Sequence, residues 1–449
     1  MALPPGPRAP AFVNGARFIR RPLDTLLDWH ERYGDMFTVR LPIFGTGVYV
    51  ADPGAIKEMF SGDQSDLHAG EANAPLATVL GDHSVLVLDG PEHLRQRRLL
   101  LPPFQGSAVK GFGSVIRKAA EAEVDGWRAG ARFPIRERMR ALTFEVICHA
   151  VFGVTEPARV ERLRAALLTV VDSGWAFFLP GAAKRDLGRL SPWRILRRRI
   201  GRADALLYEE IARRRGERDL EDRTDVLSLL LRARDEGGEP MSDVELRDEL
   251  MTMLAAGHET TATGLAFAFD LLLHHPRVLE RLEAELDGDS DEYLDAVVSE
   301  TLRLRPVIDA AERTLKAPRT LAGWDLPAGI RVYPGIALVH RREDLYPRAS
   351  EFRPERFLDG NTESYAWIPF GGGIRRCIGA ALAQLEMREV LRVVLTRAEL
   401  RAERPEPDQV ALKAITLAPR HGVPVEVLRK HDRTRPRREA AAAAPILSA

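Results

Sequence analysis

The sequence predicts a mainly α fold with small β-sheets in one large domain, and three observations carry that prediction. From Pro91 onward most of the chain shows apolar residues at helical spacing, interrupted by Pro and Gly clusters. Strand-like runs are short and fall in three places: Met36 to Val50, Thr314 to Pro334, and around Ala411 to Val427. No internal repeat and no Gly/Ser-rich linker divides the 449 residues, although length alone would suit about three average domains.

The opening Leu3-Pro4-Pro5-Gly6-Pro7 starts with helix breakers and reads as extended; it lacks the apolar core of a leader peptide. Pro22 to Tyr33 follows with helical spacing of Leu23, Leu26, Leu27 and Trp29. The runs Met36 to Leu41 and Gly47 to Val50, separated by Pro42 and Gly45, predict a hairpin. The arginine-rich stretch from Arg194 to Arg218 reads as a solvated helix face. Ser242 and Glu245 form a capping-box pair. From there a proline-free helical pattern runs to His275, about 34 residues and about 50 Å, and Pro276 ends it. From Lys430 the chain turns basic and then alanine-rich, so residues 1–429 are expected to be the domain and 430–449 a disordered tail.

Composition removes several function classes. Lys+Arg and Asp+Glu both number 65, so no basic field points to nucleic acid. Two cysteines, Cys148 and Cys377, exclude a disulfide scaffold, a four-cysteine zinc site and an all-cysteine iron–sulfur cluster. No charge-free apolar run reaches the ~18 residues of a membrane span. A cytoplasmic protein without a membrane anchor is expected.

The richest segment is Trp367-Ile368-Pro369-Phe370-Gly371-Gly372-Gly373-Ile374-Arg375-Arg376-Cys377-Ile378-Gly379. Its glycines allow tight bending and close approach. A helical pattern begins straight after Cys377, with Ala381, Leu382, Leu385, Val390, Leu391 and Val394. A thiol at a helix N-terminus beside two arginines is biased toward thiolate. Such a thiolate suits a nucleophile, a redox switch or a single axial ligand to a metal. Cys148, in the apolar run Val146 to Val151, reads instead as a small buried hydrophobe.

The long helix carries Leu254-Ala255-Ala256-Gly257-His258-Glu259-Thr260-Thr261 in its middle. Glycine and paired threonines are poor helix-interior choices, and a carboxylate on an apolar stretch is costly. A broken local rule inside a strong element points to function.

The loop matches every fixed position of F-x-x-G-x-R-x-C-x-G through Phe370, Gly373, Arg375, Cys377 and Gly379, and so resembles the cytochrome P-450 family of heme-thiolate monooxygenases. Ala256, Gly257, Glu259 and Thr260 match the family's A/G-G-x-D/E-T. Glu300 and Arg303 match its E-x-x-R, and Pro354 to Phe357 its P-E-R-F. The resemblance implies heme b between the long helix and the cysteine loop, with Cys377 as the axial thiolate. It implies a distorted helix at an oxygen pocket, Thr260 bonding dioxygen or its waters, and Glu259 relaying protons. His258 is expected to point away. Glu300, Arg303 and Arg356 would form a buried charge triad bracing the loop. His93, Arg97, Arg313 and Arg375 match positions that hold the propionates. Arg95, Arg98 and Arg376 are left as candidates for docking an acidic electron donor.

Substrate-facing positions map to Val87, Ala255, Ala256, Val307, Ile308 and Ile415 with Thr416, mostly small or apolar, so an apolar fatty acid, terpenoid, steroid or similar substrate is expected. Asp309 departs from that character, with a propionate, a substrate polar group or solvent as its candidate partners. No dinucleotide-binding G-x-G-x-x-G follows a strand, so electrons are expected from a separate ferredoxin and its reductase. The implied reaction inserts one atom of dioxygen into the substrate. Its rivals are a heme-thiolate peroxygenase or isomerase, against which Glu259 and Thr260 argue, and a non-catalytic heme sensor.

Overall fold

The computed structural model describes residues 2–42, 45–63, 65–171, 173, 191–288, 290–358, 360 and 365–431. These are mainly helical, with short strands. The tail expected from 430 onward lies almost wholly outside the described residues. The chain divides into two compact units, one drawing on 1–64, 116–142 and 260–449 and the other on 65–115 and 143–259. The helix Asp243–Leu273 gives 243–259 to the second unit and 260–273 to the first. No helix among the described residues is long and apolar enough to cross a membrane.

In the first unit the opening segment is extended, as its prolines require. Thr38 donates its backbone N–H to Pro5 O at 3.0 Å and its hydroxyl to Pro4 O at 2.7 Å. A Cβ at Gly6 would lie 1.9 Å from Thr38 O, so only glycine fits there. A helix missed from the sequence, Ala11–Arg20, starts directly after Pro10. It packs Phe18 with Leu26 and Trp29 of the helix Pro22–Tyr33 onto a core with Phe37, Val39, Tyr49 and Tyr333. The predicted hairpin is present: Met36–Leu41 pairs antiparallel with Gly45–Val50, which pairs in parallel with Arg331–Pro334. Arg313–Leu315 pairs with that last strand. A second sheet joins Arg132–Pro134, Pro424–Lys430 and Ala398–Ala402, whose partners are far apart in sequence. The hairpin Val410–Lys413 with Thr416–Pro419 completes the β patches used below.

In the second unit, helices Gly90–Leu100, Pro157–Val171, Pro192–Arg215 and Val226–Arg232 accompany the first half of the long helix. The capping box forms as the sequence predicts. Ser242 donates its N–H and its hydroxyl to Glu245 Oε2, both at 2.8 Å, and the Glu245 N–H returns to Ser242 Oγ at 3.2 Å. The arginine-rich helix is only partly a solvated face. Arg214 is buried, pairs with Asp225 and donates to Phe152 O at 2.9 Å.

Candidate functional site

In the first unit the cysteine loop is shaped before any ligand is considered. Gly371 and Gly373 have φ of 68° and 65°, and the Gly371 N–H closes a turn onto Ile368 O at 2.9 Å. A Cβ at Gly372 would meet Phe60 Cδ2 at 2.4 Å, so the loop lies flush against that ring. A short 3-10 turn, Gly373–Arg375, follows, and the Cys377 N–H bonds Phe370 O at 3.0 Å. Gly379 then caps the helix Ala380–Arg397. The Cys377 side chain stands exposed at the head of that helix, where the macrodipole favours an anion. Cys148 is fully buried, and burial pushes its thiol up to about 12. Only Cys377 is accessible as a ligand.

Behind the loop, Glu300 and Arg303 have no solvent exposure and form a bidentate pair at 2.6 and 2.8 Å. Arg356 Nε reaches Glu300 Oε1 at 3.1 Å, so the three side chains form one cluster. Arg303 also donates to His340 O at 2.6 Å and Ala349 O at 2.8 Å. His340 was missed in the sequence. Its buried Nε2 accepts the Ile368 N–H at 2.9 Å, which links the charge cluster to the start of the cysteine loop. Burial, followed by the Arg303 charge, lowers the His340 ring to about 3, so it is neutral and carries its proton on Nδ1. The only signal for it was a lone His ahead of the P-E-R-F segment.

Arg313 is buried, donates to Glu312 O at 2.8 Å and lies over the Phe60 ring at 5.9 Å. Phe60 therefore contacts both the cysteine loop and Arg313. Arg375 is half-buried. Val307 is nearly buried, and its carbonyl accepts the Leu417 N–H at 2.8 Å. This joins its segment to the hairpin whose tip exposes Ile415, an apolar side chain with 45% exposure. Ile308 is half-buried. Asp309 has a partner that the sequence did not indicate. It accepts the Tyr49 hydroxyl at 2.7 Å, while burial raises its carboxyl, and Tyr49 stacks on Tyr333 at 4.9 Å. Its turn toward the sheet is fixed by a partner 260 residues away.

In the second unit, His93 is buried and Arg97 half-buried on the helix Gly90–Leu100. Arg95 bonds Asp235 at 2.6 Å and Glu245 at 2.5 Å, and Arg98 pairs with Glu236 at the surface. On the long helix, Ala256 is exposed, and Ala255, Gly257 and Glu259 are half-buried in an otherwise apolar stretch. Thr260, in the first unit, is half-buried too, while 261–270 are all buried. His258 is buried, donates Nδ1–H to Leu254 O at 2.8 Å and meets Phe144 edge-on. The helix runs without a break through Gly257, where the sequence suggested a distortion. Thr143 Oγ1 donates to the His258 carbonyl at 2.9 Å beside that glycine. A Cβ at Gly257 would meet Ile147 Cδ1 at 2.8 Å, which gives the glycine a packing reason.

The donor set fits heme. One accessible thiol at a helix N-terminus suits the iron. The guanidinium groups of Arg313 and Arg375, in the first unit, suit the carboxylates.

The comparisons with known proteins agree. The Cytochrome P450 family model matches residues 3–423. A Mycobacterium tuberculosis protein with the provisional name cytochrome P450 135B1 is 43% identical over 439 residues, 96% of this chain and 93% of the relative. Another from that organism, provisionally cytochrome P450 135A1, is 39% identical over 428 residues, 95% of each chain. Among solved structures, cyanobacterial CYP120A1 with retinoic acid bound superposes with a TM-score of 0.83 at 23% identity, over 96% of this chain and 100% of that one. The cytochrome P450DA heme domain does so at 0.83 and 25%, over 96% and 98%. The chain belongs to the cytochrome P450 family, oxidoreductases that bind heme through a cysteine thiolate and incorporate oxygen from dioxygen.

Proposed function

We propose that residues 1–429 act as one heme domain in which Cys377 is the axial thiolate and an apolar organic molecule, such as a fatty acid, terpenoid or steroid, is the substrate. The observation that carries the assignment is the contrast between the two thiols: Cys377 exposed at a helix N-terminus, Cys148 buried. Heme, when bound, supplies the electron-rich iron at which dioxygen is activated.

The protein's own residues hold and orient. Arg97, Arg313 and Arg375, with His93, bind the propionates. The backbone of 370–379 and Gly379 shape the bed for the thiolate, and Phe370 covers it. Ala256, whose small exposed side chain leaves room, lies beside the cofactor face. Glu259 holds and delivers a proton, and Thr260 bonds the water that carries it; each is half-buried where the long helix turns from partly exposed to fully buried. Glu300, Arg303 and Arg356 keep the loop in place through His340.

Val87, Ala255, Val307, Ile308 and Ile415 form the apolar wall for the substrate; the 45% exposure of Ile415 supports that role. The retinoic acid bound by CYP120A1 is an apolar chain with one carboxylate and belongs to the same chemical class. The electron donor is a separate ferredoxin with its reductase. It docks at the exposed Ile374 beside Arg376.

The test is a panel of fatty acids, terpenes and steroids scored by substrate-induced spin-state change. Turnover of the hits is then measured with and without added ferredoxin and ferredoxin reductase. A response to apolar members and turnover only with the donor proteins are expected. Response to polar compounds alone would overturn the substrate class.

A further inference from the structure

In the second unit the segment 80–87 is held to the long helix by buried polar groups that neither cofactor binding nor proton delivery uses. Asp248 is buried, and its carboxylate accepts the His83 backbone N–H at 3.0 Å, His83 Nδ1–H at 3.2 Å and Arg247 Nη1–H at 2.9 Å. Arg247 also donates to Leu80 O at 3.1 Å and pairs with Asp204. Glu249, with no exposure, accepts the Val85 N–H through Oε1 at 2.8 Å. Thr252 Oγ1 bonds both the Asp248 carbonyl and the Ser84 hydroxyl, at 2.7 Å each.

The backbone of the segment is fitted to these groups. Gly81 has φ of 93°, and a Cβ there would lie 2.0 Å from Asp248 Oδ1, so only glycine passes the carboxylate. The Val87 N–H turns back to Ser84 O at 2.9 Å. The Val87 carbonyl faces Gly70, where a Cβ would approach it to 2.4 Å. Ser84 and Val85 are buried, whereas the Val87 side chain is left half-buried at the end of the clasped stretch.

We propose that Asp248, Glu249 and Thr252 are positioning residues which clasp 81–87 and so set where Val87 stands in the substrate site, making the clasp a determinant of ligand size. The inference rests on the reading of Val87 as a substrate-wall residue. It extends the long helix's role from its middle to its first turns. Polar groups this deeply buried are tolerated only when bonded, so their bonds dictate one backbone path for the segment. Burial raises the Glu249 carboxyl well above the usual carboxylate range. Glutamine keeps the shape of the side chain and an oxygen that accepts the Val85 N–H.

The test uses the ferric holoprotein, titrated spectroscopically with imidazole and with the bulkier 4-phenylimidazole, both nitrogen ligands of heme iron. Hydrogen–deuterium exchange of the peptide covering 80–88 is followed in parallel. Glu249→Leu and Thr252→Val are expected to weaken 4-phenylimidazole about tenfold, the equivalent of a lost buried hydrogen bond, and to change imidazole by less than about twofold. Exchange at 84–87 rises in both. Glu249→Gln keeps all three readouts near wild type. Equal shifts for both azoles, unchanged azole affinities despite faster exchange, or Glu249→Gln behaving like Glu249→Leu would each overturn the clasp. If Glu249→Leu fails to take up heme, Thr252→Val and Ser84→Ala, which remove the Thr252–Ser84 contact from either side, are held to the same outcomes. Wild type that shows no azole spectrum at all would overturn the heme reading itself, which separates the two failures.

Discussion

His340 shows how a single side chain is committed by its surroundings. It is buried, neutral and bonded to the Ile368 N–H, with Arg303 on its own carbonyl. Replacing it by leucine leaves the Ile368 amide buried without an acceptor, a loss of about 1–3 kcal/mol. We expect His340→Leu to retain heme but lower the fraction with the far-red Soret band of thiolate-ligated heme, read in the reduced, CO-bound spectrum. A full band would show that His340 does not position the loop. At the long helix, Thr260→Ala is expected to divert electrons to peroxide, and Glu259→Gln to slow product formation about a hundredfold, the range of a lost general acid. Unchanged coupling and rate would remove both from proton delivery. Both positions stand out in the sequence because Glu259 and Thr260 break the helix's own rule. Asp309 was not, since nothing near it in sequence announces Tyr49.

Elements separate glycines that look alike in sequence. At Gly372 an added Cβ meets the body of the Phe60 ring at 2.4 and 2.7 Å, where no small rotation relieves the clash. Gly372→Ala is expected to cost about 1–3 kcal/mol, as overpacking does, and to impair heme uptake. At Gly257 the Cβ meets only the tip of Ile147, and alanine gains about 1 kcal/mol of helix propensity. Gly257→Ala should leave the unfolding midpoint nearly unchanged, and thermal denaturation of the two variants checks the contrast. Glu300→Ala strands Arg303 in a site without solvent and should cost about 3–5 kcal/mol. The helix Asp243–Leu273 was legible because period, cap and proline stop agree, and Pro22–Tyr33 because its period begins at a proline. Ala11–Arg20 was hidden by the prolines before it. The strands Arg132–Pro134 and Ala398–Ala402 are too short to carry a period and exist through long-range pairing with Pro424–Lys430.

Across the whole molecule, stability should depend on pH through groups with opposite shifts. Burial raises Glu386, on the helix after the cysteine, to about 8 from 4.5. The folded state therefore holds a proton that the unfolded chain has released, and stability falls as pH rises from 4.5 through 8. His340 acts the other way. Lowered to about 3 from 6.5, it contributes stability above 6.5 that is lost as pH falls toward 3. Glu386→Gln should therefore raise the melting temperature more at pH 8 than at pH 5, because the cost of the buried carboxyl grows with pH across that interval; an equal effect at both would contradict its buried, protonated state. The composition that first excluded cysteine clusters leaves only two thiols, in opposite environments. The central claim, that Cys377 holds the heme, is tested most directly by the reduced, CO-bound spectrum of wild type, Cys377→Ala and Cys148→Ala. The far-red Soret band is expected in wild type and Cys148→Ala and absent in Cys377→Ala. Its persistence in Cys377→Ala, or its loss in Cys148→Ala with heme still bound, would contradict the account.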